Sequence, residues 1–172
     1  RYWIYGSSIQ SWTTLLLKLK ALVIVDVQND FLINGSLEVP GGNEVIDPIN
    51  QIIDNYALVV ATKDWHPLDH VSFASNHPGK KAGDVVKVKG HEQILWPDHC
   101  VQETKGSNFP ETLNYKIINK IIYKGIDPKI DSYSGFHDNG KIRSTGLSDY
   151  LRANDVESID YVGLATEYCV KF

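Results

Sequence analysis

The first clear signal along the chain is a short unbroken apolar run, Ala21 to Val25, that ends on Asp26. A continuous, β-branched-rich stretch of this length predicts a strand buried on both faces of a parallel sheet. Gly35, Pro40, Gly41 and Gly42 then mark a loop. After it Val45, Ile49, Ile52, Ile53 and Tyr56 recur at helical spacing, with Pro48 tolerable only near the first turn. Leu58 to Ala61 repeats the buried-strand pattern, Ile117 to Tyr123 gives a third strand, and Ile159 to Leu164 a fourth. Ahead of the fourth, Leu147, Tyr150 and Leu151 share a helical face behind a Ser144/Thr145 cap. Alternating strands and helices predict an α/β fold, a doubly wound parallel sheet with helices on both faces, because parallel neighbours need a crossover that a helix fills. The stretch from Lys63 to Thr112 has no sustained period, and so long an irregular insert in a compact domain is more often functional than idle.

Composition narrows the classes. A chain of 172 residues with 42% apolar and 22% charged residues fits one folded domain with a real core. Residues 1–18 show no period and are expected to be an extraneous or disordered leader, with the domain spanning 19–172. There is no methionine, and the chain stops at Phe172, shortly after Cys169. Both features predict a fragment, incomplete at its C-terminal end. The 17 basic residues against 21 acidic ones, with no basic block, argue against a nucleic-acid partner. No apolar run is long enough for a membrane span and no cleavable leader is visible, so a cytoplasmic location without membrane attachment is expected. Two cysteines do not make a disulfide framework, which leaves both as thiols.

In open α/β sheets ligands bind at the carboxyl ends of the strands. Asp26 closes the first predicted strand, Asp64 and His66 follow the second, Lys124 closes the third and Cys169 follows the fourth. Each has an ordinary reading when taken alone: Asp26 as a turn cap, Lys124 as a chain reaching solvent, Cys169 as a structural core thiol. Asp64 and His66, two apart on an extended segment, project to one side and can share a metal ion. His99 and His70 are the candidates to complete it, and an Asp/His set suits zinc, iron or manganese more than calcium. A solvated polar loop explains the same residues equally well. His77, His91 and His137 are assigned to loop surface. Cys169, where the next helix should begin, is the better nucleophile, since helix N-termini stabilise thiolates. Cys100 is read as a packing thiol.

Six ordered stretches carry a resemblance: VDVQNDF at Val25 to Phe31, KDWHPLDHVSFASNH at Lys63 to His77, LWPDHCVQ at Leu95 to Gln102, YKG at Tyr123 to Gly125, DSYSGF at Asp131 to Phe136, and GLATEYCVKF at Gly163 to Phe172. From Leu19 to Phe172 the chain resembles the nicotinamidases of the isochorismatase-like cysteine hydrolase superfamily. That resemblance implies a catalytic triad of Asp26, Lys124 and Cys169, and one divalent metal ion, zinc before iron or manganese, held by Asp64, His66 and His99. Members differ at the position of His70, a fourth ligand in some. Phe31 and Trp96 are implied to sandwich the substrate ring, with Tyr133 nearby. Ala165, after a non-proline cis peptide, is implied to supply an oxyanion-hole N–H together with that of Cys169. The activity implied is metal-dependent conversion of nicotinamide to nicotinate and ammonia through a thioester on Cys169, in NAD salvage. The partners expected are thus a small pyridine carboxamide and, as a second candidate, another copy of the chain in a homo-oligomer. Isochorismatases of the same fold lack the Asp-x-His arrangement, so Asp64 and His66 argue against them. The alternatives are an inactive metal-binding remnant, or a hydrolase of another small amide or of isochorismate.

Overall fold

The structure, a computed structural model, describes residues 19–172; the expectation for residues 1–18 lies outside the described residues. Its elements in chain order are β1 (Leu19–Val25), α1 (Ile46–Ile52), β2 (Leu58–Asp64), β3 (Val85–Val88), β4 (His91–Ile94), β5 (Lys120–Lys124), α2 (Leu147–Ala153) and β6 (Val156–Gly163). Strands β5, β2, β1 and β6 form one parallel sheet in that order. Among the described residues no helix is long and apolar enough to cross a membrane.

The alternation of side chains along β1 explains why its apolar run is unbroken. Leu22 and Ile24 face α1, packing with Ile46, Ile49 and Ile53 and with Val59 and Ala61 of β2. Ala21, Val23 and Val25 face the other way, onto Leu147 and Leu151 of α2 with Val60 and Ile122. A strand covered on both faces needs an apolar residue at every position, and each such aliphatic contributes on the order of 1.5–3 kcal/mol by leaving water. The doubly wound parallel sheet read from the sequence is therefore the fold observed.

Element boundaries differ for local reasons. Strand β2 continues to Asp64, because Thr62, Lys63 and Asp64 pair with Ile122, Tyr123 and Lys124. Strand β5 starts later than Ile117: Tyr115–Ile117 form a tight 3-10 turn, and Ile117 and Ile118 pack on the core without joining the ladder. Asn119 then accepts the Val59 N–H through its side chain at 2.7 Å. Strand β6 starts earlier, at Val156. Helix α1 passes at Ile53 into a 3-10 turn. Gly146, at a φ of 87°, occupies the cap position of α2, while Thr145 Oγ1 accepts the Leu147 N–H at 3.2 Å. The aperiodic insert holds an antiparallel hairpin, β3 with β4, turned by Lys89 and Gly90 at positive φ.

Gly163, at a φ of 123°, ends β6 against β1, and a Cβ there would run into the Val25 backbone. The close approach brings the two strand ends together just before Asp26 and Leu164. Gly163→Ala is expected to lower stability by about 2–3 kcal/mol, from backbone strain plus overpacking. Gly79, also at positive φ but facing open space, gives the control: Gly79→Ala should cost only about 1–2 kcal/mol. Urea unfolding midpoints of the two variants check the difference.

Candidate active site

Four strand ends converge at the carboxyl edge of the sheet. Asp26, immediately after β1, adopts a left-handed φ of 49° that turns the chain out of the sheet. Thr62 of β2 orients its fully buried carboxylate, with Thr62 Oγ1 donating to Asp26 Oδ1 at 2.6 Å and receiving the Asp26 N–H at 3.2 Å. Lys124 ends β5 beside Asp64, its register partner on β2. Its buried ammonium lies 2.9 Å from Asp26 Oδ2 and donates to Asp64 Oδ1, to Ser132 O at 3.0 Å and to Cys169 Sγ at 3.4 Å. The Cys169 sulfur lies within 4.8 Å of carboxylate oxygens of both Asp26 and Asp64.

Burial and charge oppose each other at each group. Burial alone disfavours the Lys124 ammonium, but the charges of Asp26 and Asp64 outweigh it and hold its pKa well above the lysine value. Burial likewise pushes the Asp64 carboxyl up, yet Lys124 and His66 together hold it below the usual carboxylate range. At Asp26 burial wins over Lys124, and the pKa is raised. At Cys169 burial again dominates, with Lys124 pulling the other way, so the thiol stays well above its ordinary range. Turns run from Thr166 to Lys171 around the sulfur. Lys124 is the positive group beside the sulfur. The Leu164–Ala165 peptide bond is cis.

The other oxygen of Asp64 faces a set of imidazoles. His66 Nε2 and His99 Nε2 lie 3.8 and 3.9 Å from Asp64 Oδ2, beyond hydrogen-bond reach. Their opposite ring nitrogens are engaged by main-chain carbonyls: His66 Nδ1 with Gly125 O at 2.9 Å and His99 Nδ1 with Pro97 O at 2.8 Å. His70 Nδ1 meets Ser72 Oγ at 2.7 Å, while its buried Nε2 has no partner. Donors about 2.1 Å from a zinc ion stand about 3.4 Å apart in a tetrahedron, so a divalent ion would fit among Asp64, His66 and His99 with small movements. Carbonyl partners on the far nitrogen are the outer support that metal-binding histidines use. Burial pushes His70 down to about 4, which keeps it neutral near pH 7. Phe73, fully buried, packs against all three rings at 5.5–5.7 Å. Gly125 must be glycine: its φ is 62° and a Cβ would collide with the His66 ring.

The loop carrying His99 is docked on the end of β2. His66 N–H bonds to Cys100 O at 3.1 Å and Gln102 N–H to His66 O at 2.9 Å. Asp30, five residues after β1, accepts the Cys100 N–H at 2.7 Å. A cavity of about 280 Å³ opens between these groups, walled by Phe31, Trp96, Tyr133 and Tyr168, with Asp64, His66, His99, Ala165 and Cys169 on its lining. Trp96 Nε1 donates to Tyr133 OH at 3.3 Å.

The structure thus brings together Asp26, Lys124 and Cys169; Asp64, His66 and His99; and Phe31, Trp96, Tyr133 and Ala165. Cys100 is fully buried in the core. His91 is exposed, whereas His77 and His137 are half-buried with ring nitrogens at carbonyl oxygens. Sequence reasoning gave no role to Thr62, Gln28, Asp30, Asp131 or Tyr168. Gln28 and Asp30 lie inside the VDVQNDF stretch, and their only sequence signal is that they are polar residues directly after a buried strand.

Comparison with known proteins follows the same line. The family profile described as "Isochorismatase domain" matches residues 20–172. The nicotinamidase of Escherichia coli is 43% identical over 157 residues, covering 89% of this chain and 73% of that protein. The structure of the Acinetobacter baumanii nicotinamidase superposes with a TM-score of 0.86 at 42% identity, covering 89% of this chain and 74% of the other. The pyrazinamidase of Pyrococcus horikoshii, solved in complex with zinc, superposes with a TM-score of 0.65 at 36% identity, covering 88% and 74%.

Lys124→Met leaves two buried carboxylates without their cation and is expected to cost about 3–5 kcal/mol near neutral pH. The sign with pH follows from the shifts. Deprived of Lys124, Asp26 and Asp64 take up protons at higher pH than before, so the deficit against the parent shrinks on acidification. Urea titrations at neutral and acidic pH check both the size and the trend.

Proposed function

The chain belongs to the isochorismatase family, and from that premise we propose that it is a metal-dependent cysteine amidohydrolase that converts nicotinamide to nicotinate and ammonia, a step of NAD salvage. The observation that carries this reading is the position of the Lys124 ammonium, which touches Asp26, Asp64 and Cys169 at once, beside an aromatic-walled cavity that also receives the imidazoles. The relatives named above support the choice of substrate. The Asp64/His66 pair supports it against an isochorismate hydrolase.

An amide carbonyl is a poor electrophile and a thiol held well above its usual pKa is a poor nucleophile, so the attack needs a base beside the sulfur. Asp26 is that base. As Cys169 Sγ bonds to the carboxamide carbon, its proton passes to Asp26, and Lys124 balances the negative charge that develops. The N–H groups of Ala165 and Cys169 receive the oxyanion. Asp26 then returns the proton to the departing nitrogen, the C–N bond breaks, and ammonia leaves a thioester on Cys169. Water, deprotonated by Asp26, attacks the thioester carbon; nicotinate departs and the proton returns to sulfur.

Phe31 and Trp96 clamp the ring faces, with Tyr133 and Tyr168 closing the wall. Asp64, His66 and His99 would hold the divalent ion, zinc by preference, with His70 as the candidate fourth ligand. When bound, that ion supplies a Lewis-acid anchor for the pyridine nitrogen. Ring orientation is thereby separated from proton transfer, which stays with Asp26.

Cys169→Ala is expected to abolish ammonia release from nicotinamide while metal content by elemental analysis stays at the parent level; retained turnover would refute the nucleophile. The acid limb of kcat/KM should lie above the ordinary carboxylate value of 3.8, because burial raises Asp26 and the base works only when deprotonated. Activity therefore falls as pH drops through that raised value. A pH profile from acid to neutral measures the position of the limb.

A further inference from the structure

Asp64 has to serve two neighbours. One oxygen meets the Lys124 ammonium, and the other faces His66 and His99. A carboxylate split in this way tolerates little rotation of its own peptide, so the main chain at Asp64 needs a fixed support.

The sheet supplies that support on one side only. Toward β5, Asp64 is the register partner of Lys124, and Trp65 N–H bonds to Lys124 O at 3.0 Å. Toward β1, pairing stops at Ile24 with Ala61, since Asp26 leaves the sheet through its left-handed turn. The N–H and C=O of Asp64 that point to this side have no strand to meet.

Gln28 fills the gap. Its side chain is fully buried; Oε1 accepts the Asp64 N–H at 2.8 Å, and Nε2 donates to Asp64 O at 2.8 Å and to Ser107 O at 2.9 Å. One side-chain amide thus reproduces the donor and acceptor of the missing rung, with both of its N–H donors and its oxygen engaged. The Gln28 main chain is fixed too, by Gln28 N–H to Asp26 O at 2.9 Å and Phe31 N–H to Gln28 O at 3.0 Å.

Resting on the metal reading above, we propose that Gln28 is a positioning residue for the metal-ligand set: its carboxamide acts as a substitute strand rung that holds Asp64 at the angle serving both Lys124 and the imidazoles. Glutamine is required by its chemistry. Glutamate keeps the shape but sets a carboxylate against two carbonyl oxygens, and leucine leaves the N–H and C=O of Asp64 and the Ser107 carbonyl buried without partners.

The test is zinc affinity of the full chain, measured by chelator competition with zinc chloride alone, for the parent, Gln28→Leu and Gln28→Glu, with thermal melts so that only folded protein is compared. Both variants should bind zinc 10–100-fold more weakly, the range typical of lost outer-shell support. Hydrolysis of nicotinamide should recover as zinc is raised to saturation. If either folded variant binds zinc within about twofold of the parent while melting lower, Gln28 is only structural and the inference falls. Gln28→Glu keeps the question answerable if Gln28→Leu does not fold. If the parent itself takes up no zinc, the metal reading fails and carries this one with it, an outcome distinct from tight binding by parent and variants alike.

Discussion

A single buried ammonium ties the structure together. Lys124, 1% exposed, sits between the carboxylates of Asp26 and Asp64 and reaches the sulfur of Cys169. An ion pair so far from water is tolerated only when geometry is good and the remaining hydrogen-bonding groups are met. Here Ser132 O takes one further N–H and Thr62 orients Asp26. Three strand ends and the segment after a fourth must therefore hold their mutual positions, and the parallel sheet provides that. The register that sets Asp64 beside Lys124 also sets β1 beside both β2 and β6.

Around this pair the molecule divides its labour by distance from the sheet. The two helices cover opposite faces, α1 through Ile46 and Ile49 and α2 through Leu147 and Leu151. Beyond Asp64 the long insert contributes no strand to the main sheet, yet it brings His99, Trp96 and the Phe73 ring to the carboxyl edge. It does so through backbone bonds to the end of β2 and through Asp30 on the loop after β1. A segment without periodicity is in this way fixed by polar contacts that start from periodic ones.

Much of this was legible in the sequence, and what was not has identifiable causes. Ala21 to Val25 reads as a two-faced buried strand because both faces are covered. Ile117 and Ile118 mislead because a residue can be buried beside a sheet without pairing in it. The β3–β4 hairpin escapes notice because Val85 is exposed while Gln93 is buried, which inverts the usual signal. Strand ends alone place Asp26, Asp64, Lys124 and Cys169 at one edge, and the resemblance adds the aromatic wall. Thr62 and Gln28 were not readable, since each acts through bonds to residues 36 positions away.

The division of the Asp64 carboxylate between two neighbours has a bearing on how this centre can be dissected. Chelation of a cation bound there would leave Asp64 and its charge in place, whereas deleting the side chain withdraws one anion from an enclosed group of titrating partners. Proton affinities of the sulfur and its base then change along with the lost ligand. Chemical stripping and mutagenesis are therefore not interchangeable probes here, and a discrepancy between them would measure how strongly the two halves of the centre share one electrostatic field.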